Sequence, residues 1–290
     1  MNKLFKIIIT SLGIVFLASC NLPASKNYSS ESCNIADKNL DKVIRQHLNI
    51  SSRPSCNQLE LLTYLSANDK DISSLEGLEN APNITAISLT NNNIDDLSPI
   101  DELKKLKSLY IGSNNISDLD PLENLRKITT LDLSSNDIED IHRLSRLKKL
   151  EMLALGGNHI SNLSPLKNLK KLTELHLWSN QISDISYLRN LTNLKTLVLV
   201  GNQISDISAL KTMTGLDYVD LDGNLVSNLD VIFQSPGLTA GDHIDMRYNC
   251  LIVGTSAEEL RDPEYDNDDV YALFGKGILV EVNPQKVCPR

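Results

Sequence analysis

A strict period of 22 residues constrains this chain more than any other feature of its sequence. Aligned on that period, eight units fall into register, beginning at Leu62, Ile84, Leu106, Ile128, Leu150, Leu172, Leu194 and Leu216. Each carries apolar residues at positions 1, 4, 6, 11, 14, 17 and usually 20; in the sixth these are Leu172, Leu175, Leu177, Ile182, Ile185, Leu188 and Leu191. Position 9 is Asn in seven units (Asn92, Asn114, Asn136, Asn158, Asn180, Asn202 and Asn224), and the first unit departs with Lys70. A ninth, imperfect unit follows Leu238 after a short insertion and ends in Ile244-Asp245-Met246-Arg247-Tyr248-Asn249-Cys250-Leu251.

Positions 3 to 7 alternate between apolar and polar, which predicts a short strand with positions 4 and 6 inward. Apolar residues spaced three apart in the second half suit a 3₁₀ or short helical return. An amide at position 9 can satisfy backbone groups where the chain leaves the strand, and stacked amides make a ladder. No unit can bury its apolar face alone, so neighbours must stack. Eight Tyr, four Phe and one Trp leave the core to Leu and Ile.

This pattern resembles the short leucine-rich repeat of internalins and similar bacterial surface proteins over residues 62–251. The resemblance implies an α/β repeat solenoid, a curved leucine-rich-repeat solenoid with a parallel β-sheet on the concave face and 3₁₀ or short-helix returns on the convex face. It also implies protein recognition as the function, with adhesion or scaffolding as variants.

A solenoid exposes apolar faces at its ends unless capped. Within residues 33–61, Asp37 is a candidate N-cap for a helix with Leu40, Val43, Ile44 and Leu48 on one face, which resembles the internalin N-terminal cap. In residues 252–290, a helix is expected around Asp269 to Phe274 and a closing strand over Gly277 to Val282. Residues 1–19 read as a signal segment: Lys3 and Lys6, an apolar run from Ile7 to Leu17, then Leu17-Ala18-Ser19-Cys20. The last four residues resemble the bacterial lipobox, implying lipidation of Cys20 and a membrane anchor, with residues 20–32 as a flexible tether. The expected location is the bacterial cell envelope, facing the periplasm or the exterior.

Cys33, Cys56, Cys250 and Cys288 remain, an even set in an exported chain. Nine strands at about 4.8 Å separate the two ends by roughly 40 Å, so the expected disulfides are Cys33–Cys56 and Cys250–Cys288.

The formal charge of -9 argues against a nucleic-acid partner. The sequence contains no Gly-x-Ser-x-Gly, His-Glu-x-x-His or phosphate-binding glycine loop. No catalysis, metal or cofactor is therefore expected, and the five histidines, His47, His142, His159, His176 and His243, read as surface residues.

Strand positions 3, 5, 7 and 8 should tile the concave face. They are mostly small early on, as in Ser66, Ser88, Thr90, Gly112 and Ser134, with Tyr110 and Asp132 breaking the run. Later repeats present Glu174, His176 and Trp178, then Val198 and Val200, then Tyr218, Asp220 and Asp222, and finally His243, Asp245, Arg247 and Tyr248. Alternation points Trp178 to solvent beside Val200, an expected exposed cluster for a protein partner. Positions 21 and 22 supply a basic edge: Lys104, Lys105, Arg126, Lys127, Lys148, Lys149, Lys170 and Lys171. On sequence alone a solvated edge is the preferred reading of these residues, and the alternative is an anionic glycan, lipopolysaccharide or membrane surface. Asp at position 13 reads as a turn-former, and the acidic run from Glu258, Glu259, Asp262 and Glu264 to Asp266, Asp268 and Asp269 reads as structural.

Overall fold

The computed structural model describes residues 32–227, 230–235, 238–239, 242–249, 270–272 and 279–281. The signal segment, Cys20 and the tether up to residue 31 lie outside the described residues, as do Cys250, Cys288 and the acidic run 258–269.

The repeats form one curved, open sheet of short strands with 3₁₀ returns between them. In chain order the strands are β1 (Tyr64–Ser66), β2 (Ala86–Ser88), β3 (Ser108–Tyr110), β4 (Thr130–Asp132), β5 (Met152–Ala154), β6 (Glu174–His176), β7 (Thr196–Val198), β8 (Tyr218–Asp220) and β9 (His243–Asp245). Each pairs in parallel with the next, position 3 to position 3, so like positions form straight rows across the sheet. The strands are shorter than the alternation suggests: only positions 3 to 5 are strand, because the chain turns where position 9 begins its own bonding.

Positions 1, 4, 6, 11, 14, 17 and 20 form one continuous core; Leu172, Leu175, Leu177, Ile182, Ile185, Leu188 and Leu191 are all buried. A fully buried Leu or Ile contributes about 2 kcal/mol, and here its contacts come largely from the repeat above and below. The Asn ladder is present. The Asn158 amide donates to the Leu133 and Leu155 carbonyls (3.0 and 2.9 Å), and its oxygen accepts the Ile138 N–H at 3.0 Å. Each rung thus joins two repeats. Asn249 closes the ninth in the same way, on Leu221, Met246 and Val226. The insertion before it holds α3 (Asp230–Gln234) in place of a 3₁₀ return.

Position 13 does what its turn chemistry requires. Asp96, Asp118, Asp140, Asp184 and Asp206 accept the backbone N–H two residues on, at 2.8 or 2.9 Å, and open each 3₁₀ turn.

Helix α1 (Lys38–Leu48) covers the first repeat with Leu40, Val43, Ile44 and Leu48 buried. Asp37 caps it, accepting from Asn39 and Leu40, and also ties it to the Ser73 N–H at 2.9 Å. Burial works to raise the Asp37 carboxyl, but hydrogen bonds from Ser73, Leu40 and Asn39 outweigh it and hold the group below its ordinary value. The Cys33–Cys56 disulfide joins the cap to the short helix α2 (Cys56–Leu59). His47 is not a bystander. Its Nδ1 donates to the Val43 carbonyl at 3.0 Å and its Nε2 accepts the Ser66 N–H at 3.3 Å, so it covers the open edge of β1.

One expectation at the other end is overturned. The helix expected around Asp269 to Phe274 is instead a strand, β10 (Val270–Ala272), paired antiparallel with β11 (Leu279–Glu281). Val and Tyr favour an extended chain, and β11 offers β10 a free edge. The closing strand itself is found, at Leu279–Glu281, parallel to β9.

Candidate functional site

The concave face is three rows of side chains, at positions 3, 5 and 7, with position 8 at their lip. The position-5 row runs Tyr110, Asp132, Ala154, His176, Val198, Asp220, Asp245 across adjacent strands. It divides into half-buried and buried members. Tyr110 and Asp132 are reachable, whereas His176, Val198, Asp220 and Asp245 are all buried, between 2% and 8% exposed. The expected surface roles of those four are therefore corrected: strands about 4.8 Å apart let taller neighbours at positions 3 and 7 close over this middle row. They form the floor of the face, and the accessible side chains are those at positions 3, 7 and 8 together with Tyr110 and Asp132.

Trp178 also departs from expectation. Its ring is half-buried, lying back on the preceding repeat over Gly156 and Gly157. A Cβ at Gly156 would overlap the indole, so the absence of a side chain there is what lets the ring lie flat. A glycine at position 7 beside a tryptophan at position 7 was the legible signal, and only the parallel register gives it meaning. Met152, half-buried in the position-3 row beside Glu174, is another concave residue that repeat-by-repeat reading passes over.

On the same face Glu174, at position 3 of this repeat, and Val200, at position 7 of the next, are half-buried. His176 Nε2 and Glu174 Oε1 are 2.6 Å apart, and that hydrogen bond holds the Glu174 carboxyl below its ordinary value against the opposing effect of burial. Tyr110 responds to the same face: burial raises its phenol, and Asp132 and Glu174 raise it further.

The C-terminal end is denser. Tyr218 stacks on His243 with ring centroids 5.3 Å apart, and its hydroxyl donates to Asp220 Oδ2 at 3.2 Å. Burial pushes the Asp220 carboxyl up to about 6; the Asp222 N–H works against this, and the Asp245 and Asp222 carboxylates add to it. Arg247 grips Asp245 with its guanidinium, Nε reaching both oxygens at 3.0 Å. Asp222 and Arg247 are half-buried, and Tyr248 is 50% exposed.

Position 8 carries a second hidden regularity. Asp69, Asn91, Ser113, Ser135, Gly157, Ser179, Gly201, Gly223 and Tyr248 all have φ between 49° and 70°. Glycine suits this left-handed conformation and a tyrosine does not. Tyr248 is therefore a bulky aromatic held at a strained backbone position at the lip of the face.

The eight residues of the basic edge are all exposed, along the edge where the strands begin. Among the described residues no group of His, Cys, Asp and Glu is placed to hold a metal, and no helix is long and apolar enough to cross a membrane.

Comparison with known proteins follows the same lines. A family model described as leucine-rich repeats in two copies matches residues 148–190 and 192–234, and a second leucine-rich-repeat model matches 82–138 and 104–160. No curated protein sequence matches the chain. Among solved structures it is similar to an internalin (inlF) from Listeria monocytogenes, at 33% identity and a TM-score of 0.70 over 73% of this chain. It spans 63% of that internalin's length. It is similar also to internalin C2 (inlC2) of the same organism, at 32% identity and a TM-score of 0.55, covering 64% of this chain and 93% of that one. A leucine-rich-repeat protein of Leptospira interrogans shares the fold at 24% identity and a TM-score of 0.59, over 64% of this chain and 51% of that one. The chain belongs to the leucine-rich-repeat proteins of internalin type.

Proposed function

We propose that this chain is an envelope-anchored recognition module that binds a protein through the concave face of its repeats. One observation carries the reading: Trp178, Val200, Tyr218 and Tyr248 stand on the same face as Glu174, Asp222 and Arg247, on strands locked in register. Aromatic and aliphatic anchors bordered by charge are the composition of interface hot spots, and a rigid sheet presents them with little loss of conformational freedom on binding. The buried floor of His176, Val198, Asp220 and Asp245 supports these anchors from beneath. The residues that make contact are then Tyr110, Asp132, Glu174, Trp178, Val200, Tyr218, Asp222, Arg247 and Tyr248. Anchoring follows from the signal segment and Cys20, whose acyl chains would hold the solenoid at a membrane without a spanning helix.

Affinity capture from solubilised envelope and from host-cell extract tests the proposal, using the full chain beside Trp178→Ala/Tyr218→Ala. A protein retained at high salt by the unaltered chain and lost by the double variant supports the concave face. Equal capture by both refutes it.

A further inference from the structure

The basic edge carries charge that the fold does not use. The Asp residues at position 13, on the opposite edge, each open a 3₁₀ turn. No comparable work falls to the lysines. Lys104 pairs with Glu102, and Lys105 donates to Asn83 at 2.6 Å. The side chains of Arg126, Lys127, Lys148, Lys149, Lys170 and Lys171 bond nothing among the described residues.

The signs are also segregated. Along the basic band, positions 18 to 22 and position 2, further cations stand at Lys107, Arg146, Lys167, Arg189 and Lys195. The acids there are Glu79, Asp101, Glu102, Glu123, Glu151 and Asp217, of which Glu102 is held by Lys104, Glu123 by Arg143 and Asp217 by Lys195. Positions 10 to 13 on the far edge carry Asp71, Asp95, Asp96, Asp118, Asp137, Glu139, Asp140, Asp184 and Asp206 with no Lys or Arg between them. Like charges on adjacent strands repel, so stacking lysine on lysine through four repeats works against the solenoid. Solubility does not require it: the chain already carries -9, and each lysine moves it toward neutrality.

We propose that this edge docks on an anionic phospholipid surface. The rungs, about 5 Å apart on a rigid sheet, make a straight band of cations suited to a planar array of phosphates. Seven of the eight residues at positions 21 and 22 are lysine, a point charge on a flexible stem, rather than the bidentate fork that reads one ligand geometry. No aromatic residue stands in the band to stack on a sugar ring. Lying edge-on, the solenoid would leave its concave face open to a partner.

The test uses the full chain on vesicles of phosphatidylcholine alone and of phosphatidylcholine mixed with phosphatidylglycerol. Lysines are acylated with a water-soluble active ester and mapped by mass spectrometry. The N-terminal segment carries Lys3 and Lys6 and also favours the mixed vesicles, so protection mapped to the edge lysines relative to Lys38 and Lys42, rather than total binding, reports the edge. Expected is protection of Lys127, Lys149 and Lys171 on the mixed vesicles alone, removed by high salt, with Lys38 and Lys42 of α1 unchanged. Lys127→Gln/Lys149→Gln/Lys171→Gln should lower affinity for the mixed vesicles on the order of a hundredfold, since each cation at such a surface is worth about fivefold. Equal labelling on both vesicles overturns the proposal. So does protection by soluble polyphosphate or heparin at matched charge when the vesicles give none.

Discussion

The indole of Trp178 lies on the bare backbone of Gly156, its in-register neighbour one repeat earlier. The side chain on which the proposed recognition surface centres is therefore oriented by a residue that has none. Gly156→Ala should lift the ring off the sheet. The left-handed conformation found at the adjacent Gly157 is not required at Gly156, so alanine fits the backbone and only the ring must move. Because Trp178 is the only tryptophan, its emission reports the change directly. We expect a red shift and stronger collisional quenching, with stability lowered by about 1 kcal/mol through lost packing. Unchanged emission would mean that the glycine does not set the ring's position.

The Asn ladder should be costly to break in its interior. Asn158→Ala leaves the buried Ile138 N–H without its acceptor and removes one of two amide donors from each of the Leu133 and Leu155 carbonyls, which keep Asn136 and Asn180. A loss of about 3 kcal/mol is expected in urea unfolding. Lys70, which occupies the same position in the first repeat, is exposed, and Lys70→Ala should change stability by less than about 0.5 kcal/mol.

The left-handed column at position 8 predicts substitutions of opposite sign. Ser135→Gly should stabilise by about 0.5 kcal/mol, and Gly201→Ala, which meets no steric obstacle but must keep φ at 66°, should cost about 1 kcal/mol. Tyr248→Gly should raise the thermal midpoint while weakening partner capture. Strain retained in an exposed aromatic is expected where binding uses it. Loss of stability in Tyr248→Gly would instead assign that ring a structural role.

Asp220 makes stability depend on pH. Its folded value, about 6, lies above the ordinary carboxylate value. The folded chain therefore holds a proton that the unfolded chain has released, and stability falls as pH rises from about 4 to 6. Above 6 the penalty is complete, about 3 kcal/mol. Asp220→Asn keeps an acceptor for the Asp222 N–H and should be more stable than the natural chain at pH 8 by that amount, with the slope between 4 and 6 flattened. Urea midpoints across this range decide it; parallel profiles for the two chains would contradict the assignment.

The framework of this fold was legible because its determinants repeat. Every apolar position and every Asn recurs at one spacing, so a single unit's physics, read nine times, gives strand, return and ladder. The cap helix was legible from Asp37 and its apolar face. The strand at Val270–Ala272 was not, since its conformation is set by pairing with β11 rather than by local periodicity. The recognition surface was half legible. Alternation shows which side chains leave the core, but not that Val198, His176, Asp220 and Asp245 would be overtopped by their neighbours, nor that Trp178 would lie down on Gly156. Those outcomes depend on side chains 22 residues apart, on adjacent strands. The left-handed column could have been read from Asn91, Gly157, Gly201 and Gly223, but Tyr248 hides it in the last repeat.

Footprinting the chain with its captured protein partner decides where on the solenoid the contact lies. Hydroxyl-radical oxidation of aromatic side chains, read by mass spectrometry with and without partner, supplies its own control. Tyr187 is 38% exposed on a 3₁₀ return of the convex face, and Tyr248 is 50% exposed on the concave one. Tyr248, Trp178 and Tyr218 should be protected, with Tyr187 oxidised at its free rate. Protection of Tyr187 with Tyr248 and Trp178 unchanged would place the partner on the other side of the solenoid.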